Sequence, residues 1–196
     1  MASWMWVVAA YLIGSVSFAV VVSKLFALPD PHSYGSGNPG ATNVLRTGNK
    51  AAAAMTLFGD GAKGWLAVFL AKQFAPQMEP AMLALVVLAV FIGHLFPVFH
   101  RFQGGKGVAT VAGIMLALDW RLAAATFGVW LAMTLLLKIS SVSALTAALA
   151  APFFAFWFFG NQPTAWVFVP IALLLVWRHK GNIQKLIEGR ETTIGR

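Results

Sequence analysis

The chain has 196 residues, of which 59% are hydrophobic and only 10% charged, and its net charge is +8. A soluble domain carries about 25% charged residues, so the composition points to a membrane protein. The absence of Cys excludes a disulfide framework and any Cys-based metal site.

The first apolar run covers residues 1–23. No Lys or Arg precedes Lys24, so this run lacks the basic start of a signal peptide and reads as a retained span. A spanning helix needs about 20 apolar residues, and the run is long enough. Residues 25–50 are polar and broken by Pro29, Pro31, Gly35, Gly37, Pro39, Gly40 and Gly48, which predicts a structured loop. Residues 51–71 form a second span, interrupted at Asp60-Gly61-Ala62-Lys63-Gly64, and residues 81–99 a third with Pro97 near its end. Residues 107–118 are apolar but short, and Asp119-Trp120-Arg121 closes them. A fifth span covers 122–137. From Ile139 to Trp177 no charge occurs, and Gly160-Asn161-Gln162-Pro163 divides that run in two. The predicted fold is therefore an all-α polytopic membrane protein of about seven transmembrane helices. It forms a single domain, 1–196, with polar motif segments at 25–50, 97–110 and 178–196. The fourth and seventh helices are short enough that five or six spans also fit.

The basic residues set the orientation. With the N-terminus outside, Lys24, Arg46, Lys50, Arg101, Lys106, Lys138 and the basic residues from Arg178 to Arg196 fall in cytoplasmic segments. Only Lys72 and Arg121 fall outside, and Lys63 lies within a span. N-out and C-in is the expected topology, with all three motif segments on the cytoplasmic side. These basic residues form neither a basic face nor an aromatic-interleaved pattern, so nucleic acid is not an expected partner. Lipid headgroups and anionic substrates are.

The first motif segment, 33–46, is dense in small hydrogen-bonding residues. Gly35, Gly37 and Gly40 permit tight turns, Ser36, Asn38, Thr42 and Asn43 are neutral donors, and Arg46 is a planar fork suited to phosphate. Thr42 and Arg46 share a helix face if residue 41 onward is helical. The same residues also suit a loop of local Asx turns, but thirteen or so residues of this character exceed what a connection needs.

The second segment contains Gly104-Gly105-Lys106-Gly107. Closely spaced glycines leave backbone N–H groups unshielded, and with Lys106 they suit an anion. A flexible turn whose lysine touches headgroups is the alternative. It is not a Walker A loop, because Gly107 follows Lys106 and His100 stands where that loop has Gly. His94 lies inside an apolar run, where ionisable residues usually face a cavity; a neutral imidazole bonded to a carbonyl is the other reading. Asp60 and Lys63, three apart, are placed to pair. Ser140, Ser141 and Ser143 suit helix caps, and a hydroxyl there also suits a phosphate. In the third segment, Ile183, Leu186 and Ile187 give an amphipathic face, and His179 and Asn182 share a helical face.

Together these stretches resemble the bacterial acyl-phosphate:glycerol-3-phosphate acyltransferases, the PlsY family. The resemblance is carried by Gly35-Ser36-Gly37-Asn38-Pro39-Gly40-Ala41-Thr42-Asn43 with Arg46, by Gly93-His94, Phe96-Pro97 and the run from Gly104 to Thr110, and by His179, Asn182-Ile183, Leu186, Gly189 and Glu191. It implies a multi-pass enzyme of the bacterial inner membrane, with its active site on the cytoplasmic side. The reaction implied is acyl transfer from acyl phosphate to the 1-hydroxyl of sn-glycerol 3-phosphate, giving lysophosphatidate and inorganic phosphate, the first step of phosphatidic acid synthesis. None of the four histidines has an Asp five positions on, so the His-x4-Asp signature of other glycerolipid acyltransferases is absent.

On this reading the catalytic residues are Ser36, Arg46, Lys106, His179 and Asn182. The substrate-binding residues are Gly37, Asn38, Thr42, Asn43, Gly104, Gly105, Gly107 and Ser141. No metal and no cofactor is expected. The partners implied are the two substrates, the lipid bilayer and a functional link to the enzyme that makes acyl phosphate. The general base is either His179 or an oxygen of the acyl phosphate. An organic-phosphate transporter is the rival class, weakened by the absence of an internal repeat; a phosphatase is the third.

Overall fold

A computed structural model describes residues 3–193. Met1, Ala2 and Arg196, which belong to the expected first span and basic tail, lie outside the described residues. The described chain is helical, with no strand. It divides into two compact units, 1–117 and 118–196.

In the first unit, the expected opening span is two helices, α1 (Ser3–Gly14) and α2 (Phe18–Leu25), bent by 41° across residues 15–17. The local cause is Ser15, whose hydroxyl donates back to the Tyr11 carbonyl at 2.8 Å, a bond that competes with helix continuation. The break frees the Val16 carbonyl, which accepts from Lys63 Nζ at 2.6 Å. The loop after α2 contains one short helix, α3 (Ala41–Leu45). Val44 on α3 is fully buried with Ala19, Val22, Ala52 and Ala53, and Phe26 and Leu28 pack against this cluster. The polar loop is thus anchored by apolar burial between α2 and α4.

Helix α4 (Lys50–Phe74) runs through the predicted interruption without a break. Asn49 caps it by accepting from Ala52 N–H at 2.9 Å. Asp60 and Lys63 make the expected pair at 2.8 Å, so the charges are satisfied within the helix. Helix α5 (Pro80–Leu95) follows, then a 3-10 turn (Val98–His100), then α6 (Val108–Leu118). Between apolar helices, close backbone approach replaces hydrophobic segregation as the source of affinity. Gly14 of α1 meets Val90 of α5, and Gly93 of α5 meets the Tyr11 carbonyl. A methyl at Gly113 of α6 would fall on the Gly61 carbonyl of α4, and one at Gly64 on the Thr110 carbonyl. The glycines that look like helix breakers in sequence are therefore packing surfaces.

The second unit holds α7 (Trp120–Leu137), α8 (Ser140–Phe159), α9 (Pro163–Trp166), α10 (Phe168–Arg178) and α11 (Lys180–Ile187). Asp119 caps α7, accepting from Arg121 N–H at 2.8 Å. Ala144, Ala147, Ala148, Ala151 and Ala155 form a buried stripe of small residues on α8, against which α7 and α10 pack. Among the described residues, three helical stretches are individually long and apolar enough to cross a bilayer: Pro80–His100, α7 and α8. The bent α1–α2 pair passes the same test jointly, while Val108–Leu118 and Pro163–Arg178 are shorter apolar helices.

Replacing Gly113 by Val should lower the melting temperature of the detergent-purified protein, an overpacking cost of about 1–3 kcal/mol. Gly128→Ala, in the interior of α7 with nothing within 4 Å of the added methyl, should not lower it and should raise it slightly.

Candidate active site

The 27–46 loop is built around Asn43, which is 3% exposed. Its amide nitrogen donates to the carbonyls of Pro31 at 2.8 Å and Tyr34 at 3.2 Å. Its Oδ1 accepts from the Ser36 backbone N–H at 3.0 Å and stands 3.3 Å from the Ser36 hydroxyl, which donates to it. Asn43 thereby fixes an exposed Ser36. Gly35, at φ +60°, adopts a left-handed turn that a side chain would strain. A methyl there would meet Asn43 Oδ1, Arg46 Nη1 and Arg46 Cδ, so the guanidinium lies back over this turn. Arg46 follows the last residue of α3 with helical φ, and like Thr42 it is exposed. Ser36, Asn43 and Arg46 are brought together, with Gly37 and Asn38 on the same loop.

His32 ties this loop to the second motif. Its Nδ1 is 2.8 Å from Asp30 Oδ1 and its Nε2 is 3.0 Å from the Gln103 carbonyl. The His32 backbone N–H, then its ring, hold the Asp30 carboxyl below its ordinary value. Arg101 and Phe102 both take left-handed φ, at 52° and 59°, an uncommon pairing for non-glycine residues. They reverse the chain into Gly104.

The glycines of the second motif are closely packed. Gly104, Gly105 and Gly107 are all buried. The Gly105 N–H does not point outward; it donates to the His94 carbonyl at 3.1 Å. A methyl at Gly105 would meet the His94 ring and the Pro39 carbonyl, and one at Gly104 the carbonyls of His94 and Leu95. The turn is held flush against α5 and the first motif loop, and it carries a half-buried Lys106.

In the second unit, Ser141 Oγ and Asn182 Nδ2 each donate to Glu191 Oε1 at 2.6 Å. His179 is buried where α10 meets α11, and its Nδ1 lies 2.8 Å from the Leu175 carbonyl. A carbonyl only accepts, so Nδ1 carries a proton in this contact. Sequence reasoning had no role for Glu191, although it belongs to the third motif. Its signal was the one available to any isolated carboxylate among cations: it needs partners, but the partners are brought to it by the fold. Among the described residues no group of three or more His, Asp or Glu side chains is arranged to hold a metal ion.

A sequence model of the family described as glycerol-3-phosphate acyltransferase matches residues 4–189. The chain belongs to the glycerol-3-phosphate acyltransferase family. A glycerol-3-phosphate acyltransferase of Cupriavidus taiwanensis is 59% identical, with 100% of this chain and 98% of the relative covered. One of Burkholderia vietnamiensis is 57% identical, with 95% and 88% covered. The fold is similar to crystal structures of PlsY (YgiH), an integral membrane glycerol 3-phosphate acyltransferase. The glycerol 3-phosphate form superposes with a TM-score of 0.93 at 35% identity, and the lysophosphatidic acid form with 0.91 at 34%. Each covers 100% of this chain and 96% of the solved chain. The motif loops described above are thus those of a family member.

Proposed function

We propose that this protein transfers a fatty acyl group from acyl phosphate to the 1-hydroxyl of sn-glycerol 3-phosphate, releasing lysophosphatidate and inorganic phosphate. The observation that carries this reading is the first-unit arrangement in which Asn43 fixes Ser36 beside Arg46, on a loop bonded to the turn that bears Lys106. Two cations and a hydroxyl on a fixed frame suit substrates that both carry phosphate. Family membership and the likeness to PlsY in its substrate and product forms support it.

Acyl phosphate is a mixed anhydride, already activated, so no covalent enzyme intermediate is required. The glycerol hydroxyl oxygen attacks the acyl carbonyl carbon, the bond from that carbon to the phosphate oxygen breaks, and phosphate leaves with the electron pair. Ser36, Arg46 and Lys106 hold phosphate oxygens and stabilise the charge that develops on them. Asn43 acts by holding Ser36, and Gly37, Asn38 and Thr42 line the same loop. Gly104, Gly105 and Gly107 give the Lys106 turn its shape. Ser141 as a substrate-binding residue and Asn182 as a catalytic one rest on the family resemblance; within the second unit both donate to Glu191 Oε1. The hydroxyl proton goes either to His179 or to an oxygen of the acyl phosphate, which leaves as inorganic phosphate. No metal or cofactor takes part in this scheme.

We further assign a bacterial inner-membrane location and a single acyltransferase domain of seven spans, N-out and C-in, with the motif segments on the cytoplasmic side. The distribution of Lys and Arg supports this orientation. It also places the site where an enzyme making acyl phosphate would deliver its product.

Purified protein supplied with palmitoyl phosphate should release inorganic phosphate and lysophosphatidate in equal amounts, and only when glycerol 3-phosphate is present. Phosphate release independent of the acceptor would instead identify a hydrolase, and flux of organic phosphate into liposomes without turnover a transporter. Arg46→Ala should lower kcat/KM on the order of 100-fold or more, and near-normal activity of that variant would remove Arg46 from the site. Loss of a general base costs about 10²- to 10⁴-fold, so His179→Ala should be slow and lose the rise in rate with pH that wild type shows. A variant profile parallel to wild type would move the base to the acyl phosphate itself.

A further inference from the structure

Three ionisable side chains lie buried together in the first unit, and the scheme above uses none of them. Lys63 Nζ is 2.8 Å from Asp60 Oδ1, and His94 Nδ1 stands 3.6 Å from the same oxygen. Asp60 and Lys63 are each 3% exposed and His94 is 7%. Ionisable groups at such depth are costly and are retained where they do something. Helix association does not require them, because α4 already packs closely through Gly61 and Gly64.

What the cluster holds is visible in its outward bonds. Lys63 donates to the Val16 carbonyl freed by the bend between α1 and α2. From that bend, Ser15 Oγ accepts from the Val98 N–H at 3.4 Å, and Tyr11 of α1 donates to the Phe96 carbonyl at 2.9 Å. Both contacts lie on the segment leading into the Lys106 turn. On the other side His94 grips the turn directly. Its carbonyl accepts the Gly105 N–H at 3.1 Å, and its Nε2 edge fills the space a Gly105 methyl would need. The imidazole is therefore wedged between Asp60 at one nitrogen and Gly105 at the other, one residue before Lys106.

We propose that Asp60, Lys63 and His94 form a buried brace that positions Lys106 for the phosphate-bearing substrates, with His94 as the positioning residue. This rests on the acyl-transfer reading for what Lys106 does. The lysine of the brace is neutralised by its own aspartate and is not a substrate contact. Its charge fixes the aspartate, the aspartate orients the imidazole, and the imidazole sets the turn.

The test is a set of variants in the full-length purified protein. His94→Gln keeps a hydrogen-bonding side chain of similar reach, and His94→Ala removes it. Each is assayed for kcat, for KM of both substrates, for melting temperature and for glycerol 3-phosphate binding by calorimetry. Small misplacement of a catalytic group costs up to about 100-fold. His94→Ala should weaken binding or raise KM for a phosphate-bearing substrate by roughly 10- to 100-fold, with His94→Gln partly rescued. In a Lys106→Ala background, His94→Gln should add no further loss, because its effect runs through Lys106. A lowered melting temperature with unchanged KM and binding would overturn the proposal, as would losses that multiply independently with Lys106→Ala. Should the His94 variants fail to fold, Asp60→Asn with Lys63→Gln removes both charges together, and the same split in its kinetics decides the matter. Wild-type protein that binds glycerol 3-phosphate without acylating it would defeat the acyl-transfer reading while leaving the brace testable by binding.

Discussion

The first motif loop depends on one buried amide. Asn43 saturates two carbonyls, those of Pro31 and Tyr34, and accepts the Ser36 N–H and hydroxyl. A segment rich in Pro and Gly has no ladder of its own to satisfy its backbone, and a buried polar group left unbonded costs about 1–3 kcal/mol. The loop solves this by wrapping around a side chain delivered from a helix. That helix, α3, is only five residues long and is held by Val44 in the α2–α4 cluster. Apolar burial thus places Asn43, Asn43 places Ser36, and the tight Gly35 turn beneath them leaves room for Arg46.

The same logic explains which features the sequence made legible. Long uncharged runs read directly as helices, because their only structural requirement is apolarity over sufficient length. Asn43 and Arg46 stand out in the sequence by residue type, but the loop-holding part of Asn43 does not. An amide that binds substrate and an amide that binds its own loop have the same letter, and only the positions of Pro31 and Tyr34 carbonyls decide. Glu191 and the pair Ser141 and Asn182 illustrate the limit from the other side. They are 50 and 9 residues apart from it in sequence, and their shared oxygen is a product of folding.

Glycine is where composition misleads most. Asp60-Gly61-Ala62-Lys63-Gly64 reads as an interruption of the second span, and Gly104, Gly105 and Gly107 as backbone opened to a ligand. In both places a missing side chain also admits another part of the protein: α6 at Gly64, and the His94 ring and Pro39 carbonyl at Gly105. Two physical uses of glycine, conformational freedom and close approach, leave the same trace in a sequence. Gly113 needs no unusual φ at all; it is required only because the Gly61 carbonyl occupies the space.

The cations of the first unit differ in exposure. Lys63 is enclosed, with a carboxylate and a carbonyl as partners, and replacing such a buried pair by apolar residues is often neutral or stabilising. Arg46 is exposed and Lys106 half-buried, both on loops whose shape is fixed by groups other than themselves. In the proposed site a cation that receives a mobile phosphate must not wander, since lost orientation is lost rate. The backbone beside each is fixed, through Asn43 for Arg46 and through His94 and Gly105 for Lys106. The carboxylates that do occur in the unit's interior and loop are committed elsewhere, Asp60 to Lys63 and Asp30 to His32. The +8 net charge of the chain is therefore informative less by its size than by how individual cations are held, Lys63 by a buried carboxylate and the loops around Arg46 and Lys106 by backbone bonds.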